Sequence, residues 1–384
     1  MIPYGRQWID AADKAAVLAV LESDWLTQGP AVPRFEQAVA GFCGAAYGVA
    51  LSNGTAALHL ACMAVDIGPG DLVWTSPNTF VASANCARYC GAEVDFVDID
   101  PQTLNLSPIR LAEKLAAAKA AGRLPKVVIP VHFAGRCCDM DAIGDLAQEY
   151  GFRVIEDASH ALGASDGGAL VGACRRSDMA ITSFHPVKLV TSGEGGMVLT
   201  QDAALAGRVA LLRTHGITRD PVAMTGPSEG PWYYQQVELG YNYRMTDIQA
   251  ALGASQMTKL PEFLARRRAL VARYRAALAD LPITMPGAGA DATSAWHLFI
   301  VRVPAVRRRA VFEALRESGI GVNVHYIPVH LQPDYARLGF HAGQFPEAEK
   351  YYSEAISLPM YPAMSDAEQD QVAEALAQAL KDNP

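Results

Sequence analysis

The chain has 384 residues, of which 51% are apolar and 19% charged, and its formal net charge is −8. That length allows two packed domains or one large one with an appendage, the composition is that of a soluble globular enzyme, and an acidic balance without any long basic run argues against a nucleic-acid binder. The seven cysteines (Cys43, Cys62, Cys86, Cys90, Cys137, Cys138, Cys174) include no Cys-x-x-Cys pair and are odd in number, so no metal site and no disulfide framework are expected.

At the start of the chain, Met1-Ile-Pro-Tyr-Gly5 lacks the basic start and apolar core of a secretion signal, and free thiols point to a reducing cytoplasm. Residues 37–65 carry no charge. Gly44, Gly48, Ser52, Asn53, Gly54 and His59 interrupt them, so they read as strand, turn and buried helix rather than a membrane span. From about residue 45 to 200, helical patterns alternate with short apolar runs at 47–51, 72–75, 93–97, 127–131, 153–155, 179–184 and 196–200. Such runs predict a mostly parallel sheet covered on both faces, with ligands beyond the strand ends.

The character changes near residue 250. Residues 259–281 form a long helical pattern, 282–289 a turn-rich break, 296–303 a strand, 306–318 a helix, 321–326 another strand and 365–381 a closing helix. The division expected is therefore a large α/β domain over 1–250 and a smaller α+β domain over 251–384. Arg266-Arg-Arg268 and Arg307-Arg-Arg309 lie in helical patterns and read as solvated faces.

Two residues carry the chemistry. Lys188 lies between two strands, in Ser183-Phe-His-Pro-Val-Lys188, just before Gly193-Glu-Gly-Gly196. Asp157 ends the apolar run Val154-Ile-Glu-Asp157. A pyridoxal phosphate enzyme needs both types: an amine to hold the aldehyde as a Schiff base, and a carboxylate to keep the pyridine nitrogen protonated. Each has a plainer reading, the lysine as a solvated loop residue and the aspartate as a helix N-cap. Ser52-Asn-Gly54-Thr55 opens a helix after a strand, which suits either a phosphate cradle or an ordinary cap. Ser183 offers a hydroxyl to the same phosphate. Phe80, after another strand, is placed either to stack on a ring or to fill the core.

Several blocks resemble the DegT/DnrJ/EryC1/StrS sugar-nucleotide aminotransferases: Trp25-Leu-Thr-Gln-Gly-Pro30, Ser52-Asn-Gly-Thr-Ala-Ala-Leu58, Asn78-Thr-Phe-Val-Ala-Ser-Ala-Asn85, Glu156-Asp-Ala-Ser-His-Ala161, 183–196, and Gly240-Tyr-Asn-Tyr-Arg-Met-Thr-Asp247. They stand in the family's order. The resemblance implies the fold-type I, aspartate aminotransferase-like architecture, with pyridoxal 5′-phosphate as cofactor. It gives Lys188 the covalent role, Asp157 the pyridine nitrogen, Gly54, Thr55 and Ser183 the phosphate, Phe80 the ring face, and His160 a place near the ring hydroxyl. It also gives Asn242 the phosphate of a neighbouring subunit's cofactor, so that a homodimer shares its sites.

Within the family, Ile2-Pro-Tyr-Gly-Arg-Gln7, Leu26-Thr-Gln-Gly-Pro30 and Val322-Asn-Val-His325-Tyr326-Ile-Pro-Val-His330-Leu331 look most like the pseudaminic acid branch. That branch implies transfer from L-glutamate to a UDP-linked 4-keto-6-deoxy-N-acetylhexosamine. His325, Tyr326 and His330 would line the sugar or nucleotide pocket, with buried structural histidines the alternative. Transaminases for other nucleotide-linked keto sugars remain as siblings. A non-catalytic sugar-nucleotide binder would be expected to lose Lys188 or Asp157, and both are present.

Overall fold

The computed structural model describes residues 1–383. Seven strands form the central sheet: β1 Tyr47–Leu51, β2 Leu72–Thr75, β3 Glu93–Phe96, β4 Val127–Ile129, β5 Arg153–Asp157, β6 Met179–Ser183 and β7 Gly196–Thr200. Their spatial order is β1-β7-β6-β5-β4-β2-β3. β3, β2, β4, β5 and β6 run parallel, and β7 is antiparallel to both β6 and β1. The expected mostly parallel sheet is present.

The alternation of side chains along each strand decides which helices cover which face. Leu51, Val73, Ile129, Ile155, Ile181 and Val198 pack with α3 (Gly54–Ala64) and α4 (Ala82–Tyr89). On the other face, Trp74, Val128 and Val154 meet two helices at 108–120 and 140–150, while Ala50, Ala180 and Leu199 meet those at 31–43 and 247–257. With both faces covered, the carboxyl ends of β5 and β6 are left to border the cleft.

The C-terminal unit is built on a two-stranded antiparallel sheet, β8 Phe299–Arg302 with β9 Ala355–Leu358. Its apolar core takes in Ile2 from the chain's start and begins, on the helix Leu260–Ala277, at Leu270. Residue 250, where the division was expected, falls inside the helix Asp247–Met257, which packs on the helices Ala11–Leu21 and Ala31–Cys43.

Two expectations are corrected. Residues 321–326 do not form a strand: Asn323 makes a single bridge to Ser357, and the chain then bends at His325, bringing His325 and Tyr326 into the cleft. The arginine run 266–268 is not a solvated face throughout. Arg267 is buried and donates to the carbonyls of Trp296, His297 and Met360. Helical spacing turns the middle residue of such a run inward.

Candidate active site

A cleft of about 830 Å³ opens between the ends of β1, β5 and β6 and the C-terminal unit. It is lined by Gly54, Thr55, Phe80, Asp157, His160, Ser183, Lys188, His325 and Tyr326, nine of the eleven residues singled out from sequence. Asn242 and His330 are not among its lining residues.

The phosphate end is set by the turn from β1 into α3. Asn53 caps α3, its side chain accepting from the Ala56 N–H at 2.8 Å, which leaves the first-turn amides of Gly54 and Thr55 to face an anion. Ser183, at the end of β6, closes the cradle. A Cβ on Gly54 would sit 3.1 Å from Ser183 Cβ and 3.3 Å from Ser183 Oγ, so only glycine keeps this approach relaxed.

Asp157 ends β5 on the face that carries α3 and α4. Its side chain is buried, with Oδ2 accepting from Ser83 Oγ at 2.6 Å and Oδ1 from the Ser159 N–H at 3.1 Å. Among the described residues no Lys, Arg or His lies within ion-pair reach of this carboxylate. A buried carboxylate that lacks a cation fits a group bringing one, such as a protonated pyridine nitrogen. Ser83, one helical turn beyond Thr79, escaped the sequence reading because a small hydroxyl residue in a helix carries no signal of its own. Its proton is spent on Asp157, so Thr79 Oγ1, 2.8 Å away, donates to Ser83.

Lys188 sits in the loop between β6 and β7. Burial lowers its pKa to about 8, the Asp157 charge opposing the shift, so a sizeable neutral fraction is available for nucleophilic attack. His325 and His160 are held neutral for the same reason. Burial, with the Lys188 charge added, holds His325 at about 4 and His160 well below its ordinary value. Phe80 is 57% exposed at the cleft wall, so it is free to stack on a ring and is not a core residue.

His160 uses both ring nitrogens on protein groups: Nδ1 accepts from the Ala134 N–H at 3.3 Å, and Nε2 lies 3.2 Å from the Tyr326 hydroxyl. His325 pairs its Nδ1 with Ser357 Oγ at 2.8 Å. His297, unnoticed in the sequence, lines the cleft with its ring centroid 4.4 Å from that of His160. His330 stands elsewhere. It is fully buried, its Nε2 is 2.9 Å from Glu349 Oε1, and its ring packs against Phe345, so the structural alternative describes its surroundings. Asn242 is exposed on the segment preceding residue 247 and bridged to Thr214, and Trp232, Tyr234 and Leu239, earlier in the same segment, are also exposed.

A flexible amine at the carboxyl edge of a parallel sheet, facing a buried carboxylate and an anion cradle, defines a pyridoxal phosphate enzyme of fold type I. The residues fit that cofactor: Lys188 for its aldehyde, Asp157 for its nitrogen, and Gly54, Thr55 and Ser183 for its phosphate.

The chain belongs to the DegT/DnrJ/EryC1/StrS aminotransferase family, matched over residues 7–377. It is 40% identical to the spore coat polysaccharide biosynthesis protein SpsC of Bacillus subtilis, over 99% of this chain and 97% of that one. Among solved structures it resembles Helicobacter pylori PseC, an aminotransferase involved in the biosynthesis of pseudoaminic acid (TM-score 0.91, 27% identity, 99% of both chains). It also resembles the sugar aminotransferase Spr1654 of Streptococcus pneumoniae in its pyridoxamine phosphate form (TM-score 0.91, 29% identity, 100% of both chains). The same protein is known in its pyridoxal phosphate form. The protein is accordingly a pyridoxal phosphate-dependent sugar aminotransferase. Among the described residues no helix is long and apolar enough to cross a membrane.

Proposed function

We propose that this enzyme transfers the amino group of L-glutamate to the C4 ketone of UDP-2-acetamido-2,6-dideoxy-β-L-arabino-hexos-4-ulose, within pseudaminic acid biosynthesis in the cytoplasm. The observation that carries the reaction type is Lys188 with its lowered pKa, in one cleft with the buried, cation-free Asp157. The choice of sugar is supported by the full-length likeness to PseC and by the blocks at 2–7 and 322–331.

When bound, the cofactor supplies an aldehyde that takes up the donor's amino group and a protonated ring that stores the electron pair left at the donor's α-carbon. The protein does the rest. Asp157 holds the ring nitrogen charged. The amides of Gly54 and Thr55 and the Ser183 hydroxyl fix the phosphate, and Phe80 limits the ring's tilt. Lys188, displaced by the donor, removes the proton from its Cα as general base. In the second half it delivers a proton to C4 of the sugar, so the cycle is ping-pong. His325 and Tyr326 face the sugar nucleotide. The enzyme acts as a homodimer in which Asn242 reaches the partner's cofactor phosphate, and the exposed Trp232, Tyr234 and Leu239 support a contact there.

A sibling reading has its own support, since the identity to SpsC (40%) exceeds that to PseC (27%). Product analysis by mass spectrometry decides between them, using pyridoxal phosphate, L-glutamate and two UDP-4-keto-6-deoxy-N-acetylhexoses that differ at C5. Faster amination of the L-arabino ketone is the expected result. Preference for the D-xylo ketone would overturn the pathway and keep the mechanism.

A further inference from the structure

Two turns with left-handed residues meet behind the cleft-lining His160 and His297. Ala134 has φ 57° and Gly135 φ 97°; opposite them Trp296 has φ 49°. The turns are joined by Ala295 N–H to the Gly135 carbonyl at 3.0 Å and Leu298 N–H to the Ala134 carbonyl at 3.3 Å. A Cβ on Gly135 would lie 2.7 Å from Trp296 N and 2.9 Å from His297 N, so the approach requires glycine. Left-handed backbone at a non-glycine residue is held only where the surroundings insist on it. Here the result is that the Ala134 N–H points at His160.

That one contact fixes a chain of hydrogen bonds. A backbone N–H only donates, so Nδ1 of His160 is the acceptor and carries no proton. The neutral imidazole therefore has its proton on Nε2 and donates it to the Tyr326 oxygen. Tyr326 is left with its own O–H, and among the described residues no acceptor takes it. Tyr326 lines the cleft, its ring held between Phe80 and Phe133 at 6.1 Å from each.

We infer that Tyr326 is a dedicated hydrogen-bond donor to an oxygen of the bound ligand, and that His160 acts through it as a positioning residue. The inference rests on the aminotransferase reading above. Burial keeps both groups in the required state: His160 stays neutral, and the Tyr326 hydroxyl, pushed far above its ordinary value, stays protonated. The ligand atom must be an acceptor, which excludes a protonated amine there. At the reacting centre two oxygens meet that description, the sugar's ketone oxygen and the hydroxyl oxygen of the cofactor ring.

The test is Y326F, which keeps the ring packing and removes only the donor. The two half-reactions are followed separately in single turnovers of the holoenzyme, by the absorbance of its pyridoxal and pyridoxamine forms. The resting spectrum is recorded first, without substrate. Loss of a donor to a reacting oxygen slows that step by roughly 10²-fold. Slowing of the ketone half alone, with an unchanged resting spectrum, assigns the ketone oxygen. A shifted resting spectrum with both halves slowed assigns the ring oxygen. Unchanged spectrum and rates in Y326F overturn the inference.

For the positioning role, H160L is expected to lose as much as Y326F. H160Q, whose amide can accept from Ala134 and donate to Tyr326, is expected to recover most of that rate. Equal loss in H160L and H160Q, or multiplying losses in H160L/Y326F, would overturn the relay. Failure of the wild-type enzyme in both halves would instead refute the aminotransferase reading itself.

Discussion

Replacing Asp157 by asparagine should move the stability of the empty protein and its hold on the cofactor in opposite directions. The carboxylate is buried, accepts from Ser83 and Ser159, and has no cationic partner among the described residues. An amide of the same shape removes that charge but offers one acceptor where two donors converge. Ser83 must then turn away, and the Phe80 carbonyl at 3.4 Å is a poor substitute, so this adjustment costs about 1 kcal/mol. Relief of a buried, unpaired charge works the other way and is the larger effect. The apoprotein of D157N should therefore unfold at or above the wild-type temperature. With cofactor the balance reverses, because the ring-nitrogen cation loses its partner. Removing one member of a buried pair costs about 3–5 kcal/mol. At 1.4 kcal/mol per decade this is roughly a hundred- to a few-thousand-fold in affinity. Absorbance titration of the apoprotein with pyridoxal phosphate, beside thermal unfolding with and without it, measures both quantities. Affinity of D157N within about threefold of wild type, or an apoprotein markedly less stable than wild type, would refute the argument.

Four further outcomes follow from the same structure. Lys188 gives up its proton at about 8 in the folded chain against the ordinary 10.5, so between those values the unfolded chain binds more protons and apoprotein stability rises with pH; K188M should abolish that rise in pH-dependent denaturant titrations, as well as turnover. G135A places a methyl group against the Trp296 and His297 amides at a positive φ and should cost more than about 3 kcal/mol in denaturant unfolding. H330L removes the partner of Glu349 and should lower stability by about 1–3 kcal/mol while leaving KM for the sugar nucleotide unchanged; a raised KM with unchanged stability would return His330 to the substrate pocket. Co-expressed K188A and N242A chains should recover activity that neither has alone, because one site of the mixed dimer is then intact; no recovery in isolated hybrids would count against the shared site.

The sheet was legible because most of its strands are short, continuous apolar runs buried on both faces, the exception being Glu93–Phe96, which alternates at the sheet edge. Lys188 and Asp157 were legible as residue types that apolar surroundings make expensive. The missing pieces have local causes. Ala355–Leu358 follows a helix directly, without turn residues to mark its start. The segment 321–326 looks extended, but it makes only one bridge, Asn323 to Ser357, before it bends at His325. Ser83 and His297 meet residues far away in sequence, Asp157 and His160, and no spacing encodes that. Ala134 contributes a backbone N–H, which every residue but proline has. His330 stands outside the cleft lining, and a histidine in a motif looks the same whether it faces a ligand or Glu349.

The position of β1 also bears on how the protein is made. β1 is an edge strand whose sole neighbour is β7. Roughly 150 residues must leave the ribosome between the two, and closing a loop of that length adds little entropy beyond a shorter one but delays pairing. Until β7 arrives, an apolar strand with buried Val49, Ala50 and Leu51 has an open edge in the nascent chain. Such an edge invites association with other chains. Soluble yield on overexpression is thus tied to how fast 196–200 is synthesised and captured, and mutations that weaken β7 should appear first as aggregation and only later as lost activity.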